Sequence, residues 1–260
     1  MHKHFSGKTV VITGGAGGLA AALIEQLLAT GANIAALDLH IEGLLANKQL
    51  LPLQVDITDN SALSAAVTQV IETFGAIDVL INNAGITHMS TFEQLGAQTF
   101  NTIMAVNFTA SVELTRMCLP YLLKTKGQIV AISSVAGYAP LYGRSAYSAS
   151  KHAMEGFFLS LESELSDVSV TVVCPSFVKS RPELTAQVNS GISSPGAMKK
   201  QTNGEQIAPN IAAEKILKAT AKKQRKLYLG KVAKIAYWLN ALVPSIYLKL
   251  MTKSAKQEFT

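Results

Sequence analysis

The chain has 260 residues, 48% of them hydrophobic, enough for a sizeable core in one large α/β domain or two small ones. No run of about 18 uninterrupted apolar residues appears, which argues against a membrane span, and 1–5 lack a signal-peptide layout. The net charge is +6, but residues 211–260 carry eleven Lys/Arg against two acids, leaving residues 1–210 at −3. Basic character confined to the tail argues against a nucleic-acid-binding body. Cys118 and Cys174 both sit in apolar stretches. They read as buried thiols in a reducing, cytoplasmic setting, with neither a disulfide nor a metal site expected.

In chain order, a strand is predicted over 9–13. It runs into the turn Gly14, Gly15, Ala16, Gly17, Gly18, Leu19 and then a helix over 18–29. Glycines there allow a tight turn and close approach of a diphosphate to backbone N–H groups, and the helix N-terminus favours negative charge. A plain glycine turn is the competing reading. The second strand, 33–39, carries Asp38, about twenty residues beyond the last glycine. A carboxylate there accepts hydrogen bonds from ribose hydroxyls and repels a 2′-phosphate, so NAD is favoured over NADP. The turn holds no Lys or Arg, and His40 is the nearest basic neighbour. The alternative makes Asp38 a simple helix cap.

Further strands are predicted over 51–55, 78–82, 128–133 and 169–174, with helices over 60–74, 98–124 and 150–166. Near-continuous apolar strands alternating with helices predict a doubly wound parallel β-sheet, a Rossmann fold, in a single domain. Residues 176–204, rich in Ser, Pro, Gly and Asn, read as a long loop that is either a substrate lid or a disordered excursion. A helix over 206–223 and a strand over 226–229 close the domain, taken as 1–230. The extension 231–260 is basic and amphipathic. Two readings stand for it: peripheral contact with a membrane surface, or a helix pair packed on the domain or a second subunit.

Tyr147 and Lys151 stand four residues apart, hence on one face of a helix. An ordinary phenol titrates near pH ~10. An adjacent cation would lower that value toward the working range of a general acid/base. Ser134, thirteen residues upstream, could hold the oxygen being protonated. A surface Tyr–Lys pair is the bland alternative.

Taken together, the glycine turn, Asp56, Asn82-Asn83-Ala84-Gly85, Asn107, Ser134, Tyr147 and Lys151 occur in an order that resembles the short-chain dehydrogenase/reductase family over about residues 7–230. The resemblance implies a dehydrogenase/reductase with NAD as cofactor. Leu39, Asp56 and Ile57 would lie on the adenosine side, and Asn83, Ala84 and Gly85 would line the adenine ribose and steady the sheet. Lys151 would bind the nicotinamide ribose, and Asn107 would hold a water linking Lys151 to solvent. Val178 would meet the nicotinamide carboxamide and Ser180 the phosphate, while Ser133 would be structural. The resemblance also implies a homodimer or homotetramer.

Two positions depart from the family pattern: Ala20 replaces its third glycine, and Ser176 the glycine after Pro175. Ala136, Tyr138, Leu141, Tyr142, Phe177 and the 183–202 loop would form the pocket, apolar enough for a lipophilic secondary alcohol or ketone. The other functional readings are an NADPH-linked ketoreductase and an NAD-binding sensor without turnover.

Overall fold

The computed structural model describes residues 2–179 and 206–259. Among these the strands are β1 (Thr9–Thr13), β2 (Asn33–Asp38), β3 (Leu50–Gln54), β4 (Val79–Asn82), β5 (Gln128–Ile132), β6 (Ser169–Pro175), β7 (Phe177–Val178), β8 (Gln206–Ile207) and β9 (Lys226–Leu229). The helices are α1 (His2–Phe5), α2 (Gly18–Leu28), α3 (Asn60–Phe74), α4 (Ala97–Met104), α5 (Ala110–Thr125), α6 (Ser145–Glu164), α7 (Pro209–Ala221), α8 (Lys231–Leu242) and α9 (Pro244–Phe259). Seven strands make one parallel sheet in the order β3-β2-β1-β4-β5-β6-β9. The order reverses between β1 and β4, and open α/β sheets bind ligands at such a switch point, beyond the strand carboxyl ends.

Side-chain alternation explains why both faces are covered. Val10 and Ile12 of β1, with Ile34 and Ala36 of β2, pack on Leu23, Ile24 and Leu27 of α2 and Ile216 and Leu217 of α7. Val11, Ala35 and Leu37 point the other way, into a core with Val67 and Val70 of α3, Leu114 and Leu122 of α5, and Met154 and Phe158 of α6. An apolar residue at nearly every strand position follows from burial on both sides.

Two expectations shift, and the tail takes one of its two predicted forms. The helix predicted over 98–124 is interrupted by a π-helical segment, Ala105–Thr109. One inserted residue leaves the apolar periodicity nearly intact, which hid it from the sequence. α6 begins at Ser145, five residues early, because Ser145, Ser148 and Ser150 carry no apolar stripe to announce the start. The tail is two helices, and its inner face belongs to the domain. Ala233, Ala236 and Tyr247 form a third buried cluster with Val135 and Ala139. Among the described residues, no helix is long and apolar enough to cross a membrane.

Candidate active site

The carboxyl ends of β1 to β6 bring most of the predicted residues to one rim of the sheet. Gly14 turns the chain at φ +68°, and a Cβ there would stand 3.0 Å from the Ala84 Cα. The turn therefore lies flat on the chain leaving β4. Asn83 fastens it: its Nδ2 donates to Thr13 O at 2.9 Å, and the amides of Asn83 and Ala84 both donate to Thr13 Oγ1 at 3.0 Å. Asp38 closes the other side, accepting from the Ala16 amide at 2.9 Å and the His40 amide at 3.1 Å. Each carboxylate oxygen keeps a further acceptor site, since a carboxylate offers about four. Asp38 is thus a fastening of the glycine turn with acceptor sites to spare, and not a helix cap. Asp56 is exposed beyond β3, with Oδ1 accepting from the amide and hydroxyl of Thr58.

Tyr147 lies in the first turn of α6 and Lys151 in the second, with the ammonium 5.9 Å from the phenol ring centre. Lys151 is almost fully buried, and its Nζ donates to Ile132 O at 2.8 Å. Burial pushes its pKa down to about 8. Burial lifts the Tyr147 phenol above its ordinary value, while a hydrogen bond with Ser134 and the charge of Arg144 act in the opposite sense. The sequence reading gave that opposing role to Lys151. The structure gives it to Ser134 and Arg144, because the Lys151 ammonium is turned to the end of β5.

Lys151 has a measurable signature. Its folded value lies below the ordinary 10.5, so between these two values the unfolded chain holds more protons and stability rises with pH through this group. Urea unfolding from pH 8 to 10 should show a positive slope that Lys151→Met removes, at most about 1.4 kcal/mol per pH unit. Identical slopes in both proteins would refute the lowered pKa of Lys151.

Asn107 sits in the π segment, fully buried. Its Oδ1 accepts from the Ile86 amide at 2.8 Å; its Nδ2 donates to Ile86 O at 2.9 Å and to Ser150 Oγ at 3.0 Å. Ser150 Oγ in turn donates to Tyr147 O at 2.8 Å. Both amide hydrogens are therefore used in joining the segment after Gly85 to the second turn of α6. π-helical insertions often mark functional positions, and this one aims Asn107 at the site. Ser134 lies two residues beyond β5 in an extended conformation, and its Oγ accepts from the Ala136 amide at 3.2 Å.

Other predicted positions divide. Leu39 is exposed after β2, and Ile57 is half-buried beside the α3 face of the sheet. Val178 is drawn into the small β7–β8 pairing, opposite Ile207. Ser180 and the 183–202 loop lie outside the described residues. The two departures from the family pattern are accommodated. Ala20 is fully buried in the α2 core. Ser176 keeps a negative φ, and its Oγ occupies space left by Gly230, where a Cβ would stand only 2.5 Å away.

The pocket wall needs correction. Ala136 is 0% exposed, so a ligand would not reach it. The Tyr138 hydroxyl donates to Ala233 O at 2.7 Å, and its ring packs edge-on against Tyr228 and Tyr237. Tyr138 is a structural seam to the tail. Leu141, Tyr142 and Phe177 remain half-buried.

Sequence reasoning missed three charged residues. Arg144 donates to Thr87 Oγ1 at 3.0 Å and ties the loop after β4 to the start of α6. Glu155, one turn beyond Lys151, is buried and accepts from Ser133 Oγ at 3.0 Å. It pairs with Lys226 at 2.5 Å. That ammonium lies over the rings of Tyr138, Tyr228 and Tyr237 at 5.4, 5.1 and 5.9 Å. The i,i+4 spacing of Lys151 and Glu155 was the available signal.

A family model described as short chain dehydrogenase matches residues 8–192. "Dehydrogenase/reductase SDR family protein 7-like" of Anopheles gambiae is 36% identical over 274 residues, covering 98% of this chain and 85% of that protein. "Dehydrogenase/reductase SDR family member 7B" of Xenopus tropicalis is 33% identical, covering 96% of this chain and 86% of that protein. Two solved structures share the fold. A short chain dehydrogenase of Burkholderia cenocepacia in complex with NADP has TM-score 0.79 at 24% identity, over 95% of this chain and 98% of that one. One from Burkholderia phymatum in complex with NAD has TM-score 0.80 at 21% identity, over 95% and 96%. The sheet order, the arrangement of its rim and relatives that match this chain over nearly all its length agree, and the chain belongs to the short-chain dehydrogenase/reductase family.

Proposed function

We propose that the chain interconverts a secondary alcohol and a ketone with NAD(H), with Tyr147 as general acid/base. The observation carrying this reading is the meeting of Ser134, Tyr147 and Lys151 beside the turn that Asn83 and Asp38 hold. The residues present fit a dinucleotide: a side chain at Gly14 or Gly15 would collide with Ala84 or Ala36, so bare backbone faces the diphosphate position. When bound, the nicotinamide supplies the hydride chemistry. The protein moves the proton. Tyr147 Oη exchanges it with the substrate oxygen, and Ser134 Oγ holds that oxygen in place. Lys151 Nζ has three N–H donors, of which Ile132 O takes one and Met154 Sδ a second, leaving the third for a ribose hydroxyl. Orienting both reactants supplies much of the rate.

Asp38 supports NAD over NADP, because a carboxylate beside the 2′ position repels a phosphate there. Replacing it together with its exposed neighbour, Asp38→Ser with Leu39→Arg, should move the NADP-to-NAD ratio of kcat/KM toward NADP. The expected shift is about thirtyfold or more, the worth of a charge-assisted hydrogen bond. An unchanged ratio would remove Asp38 from cofactor selection. Half-buried Leu141, Tyr142 and Phe177 support a bulky, lipophilic substrate. KM falling along a series of secondary alcohols of increasing chain length is the expected result; a flat series would contradict it.

A further inference from the structure

Among the described residues, the outer face of the C-terminal helix pair is unused by the fold and by the proposed chemistry. On α8, Ala233 and Ala236 face the domain. At 100° per residue, Lys231, Ile235, Trp238 and Leu242 fall on the opposite side. Ile235, Trp238 and Leu242 are 63%, 60% and 71% exposed. On α9, Tyr247 and Met251 face inward, while Ile246, Lys249, Leu250 and Lys253 share another face and are all exposed. Tyr247 donates to Pro140 O at 3.1 Å, and Asn240 to Tyr138 O at 2.9 Å, so the pair is fixed to the body of the domain. Its apolar face is therefore held outward by internal contacts.

We propose that this face docks on an anionic lipid surface. Large aliphatics around a tryptophan, flanked by lysines, have the composition of an interfacial helix, whose apolar side enters the headgroup boundary while its cations meet acidic lipid. Residues 231–255 contain Lys231, Lys234, Lys249 and Lys253 and no Asp or Glu. That charge decides between occupants. A second copy seated face to face would bring two such lysine sets together with no acid to pair them, and like charges so placed oppose association. An acidic membrane neutralises them. Neither helix spans the bilayer, so the contact is peripheral.

Trp238 is the only tryptophan, so tryptophan emission, excited apart from the tyrosines, reports this face alone. The full chain is mixed with phosphatidylcholine vesicles, with or without phosphatidylserine, and both flotation and Trp238 emission are read. Flotation and a blue shift are expected with the acidic vesicles, at least about tenfold stronger than with phosphatidylcholine alone. Replacing Lys231, Lys234, Lys249 and Lys253 by Gln should lower that partitioning about a hundredfold. The unfolding midpoint should hold, because these side chains are exposed. Leu242→Asp should weaken binding without unfolding the chain. Absence of flotation and of any shift with acidic vesicles would overturn the proposal. So would equal binding of the four-glutamine variant, or a dimer of the native chain that Leu242→Asp dissociates. None of these readings depends on turnover, so they stand or fall apart from the enzymatic assignment.

Discussion

Tyr147→Phe should lower kcat by about a thousandfold, within the range that general acid–base groups contribute, while the affinity for NAD changes less than about threefold. Only the hydroxyl is removed. The ring keeps its place in the first turn of α6, and Ser150 still bonds the Tyr147 backbone carbonyl. The glycine turn is fastened by Asn83 and Asp38, which the substitution does not touch. Burial keeps the proton on the phenol at neutral pH. The residue therefore stands ready as an acid toward a ketone, and alcohol oxidation should accelerate as the pH rises. Steady-state rates together with cofactor titration separate the two effects. A variant with kcat within tenfold of the native protein would take Tyr147 out of the proton transfer.

The second large effect concerns stability. Glu155 is buried against Lys226, Ser133 and Cys174, at the junction of α6, β5, β6 and β9. Removing one member of a buried ion pair leaves the other uncompensated, typically a loss of 3–5 kcal/mol. Glu155→Ala should cost about 3 kcal/mol, or roughly 6–12 °C in Tm for a chain this long. The three tyrosine rings around Lys226 soften the penalty, since a cation over aromatic faces is partly stabilised. Adding Lys226→Met should restore more than half of the loss, because the stranded charge disappears. Urea unfolding of the two single variants and the double variant checks this. Additive losses would mean that the pair does not interact.

The sheet was legible because each strand is buried on both faces, which writes a continuous apolar run into the sequence. β1 and β9 fall on their predicted limits, and the other five strands of the sheet lie within a residue of theirs. Glycine turn, Asp38, Ser134, Tyr147 and Lys151 could be named because chemistry demands those residue types at fixed offsets from strand ends. Features depending on distant chain segments stayed hidden. Tyr138 looks like a pocket aromatic until α8 arrives with Ala233 to take its hydroxyl. Lys226 looks like one more basic tail residue until β9 lies beside β6 and delivers it to Glu155. The π segment escaped for another reason: its signal is one extra residue, below what a 3.6-residue period resolves. Arg144 was readable only as a charge three residues before Tyr147, without the fold that turns it back onto Thr87.

On the proposed function, this rim converts alcohols and ketones rather than merely holding a dinucleotide. The most direct measurement mixes the native chain with NAD, and separately with NADP, across a panel of secondary alcohols, following the absorbance of reduced nicotinamide. Reduction of NAD by at least one bulky, lipophilic alcohol is expected, with weaker use of NADP. Tight binding of NAD with no turnover of either cofactor on any alcohol, nor of the reduced cofactors on the matching ketones, would contradict it and leave a sensor in its place.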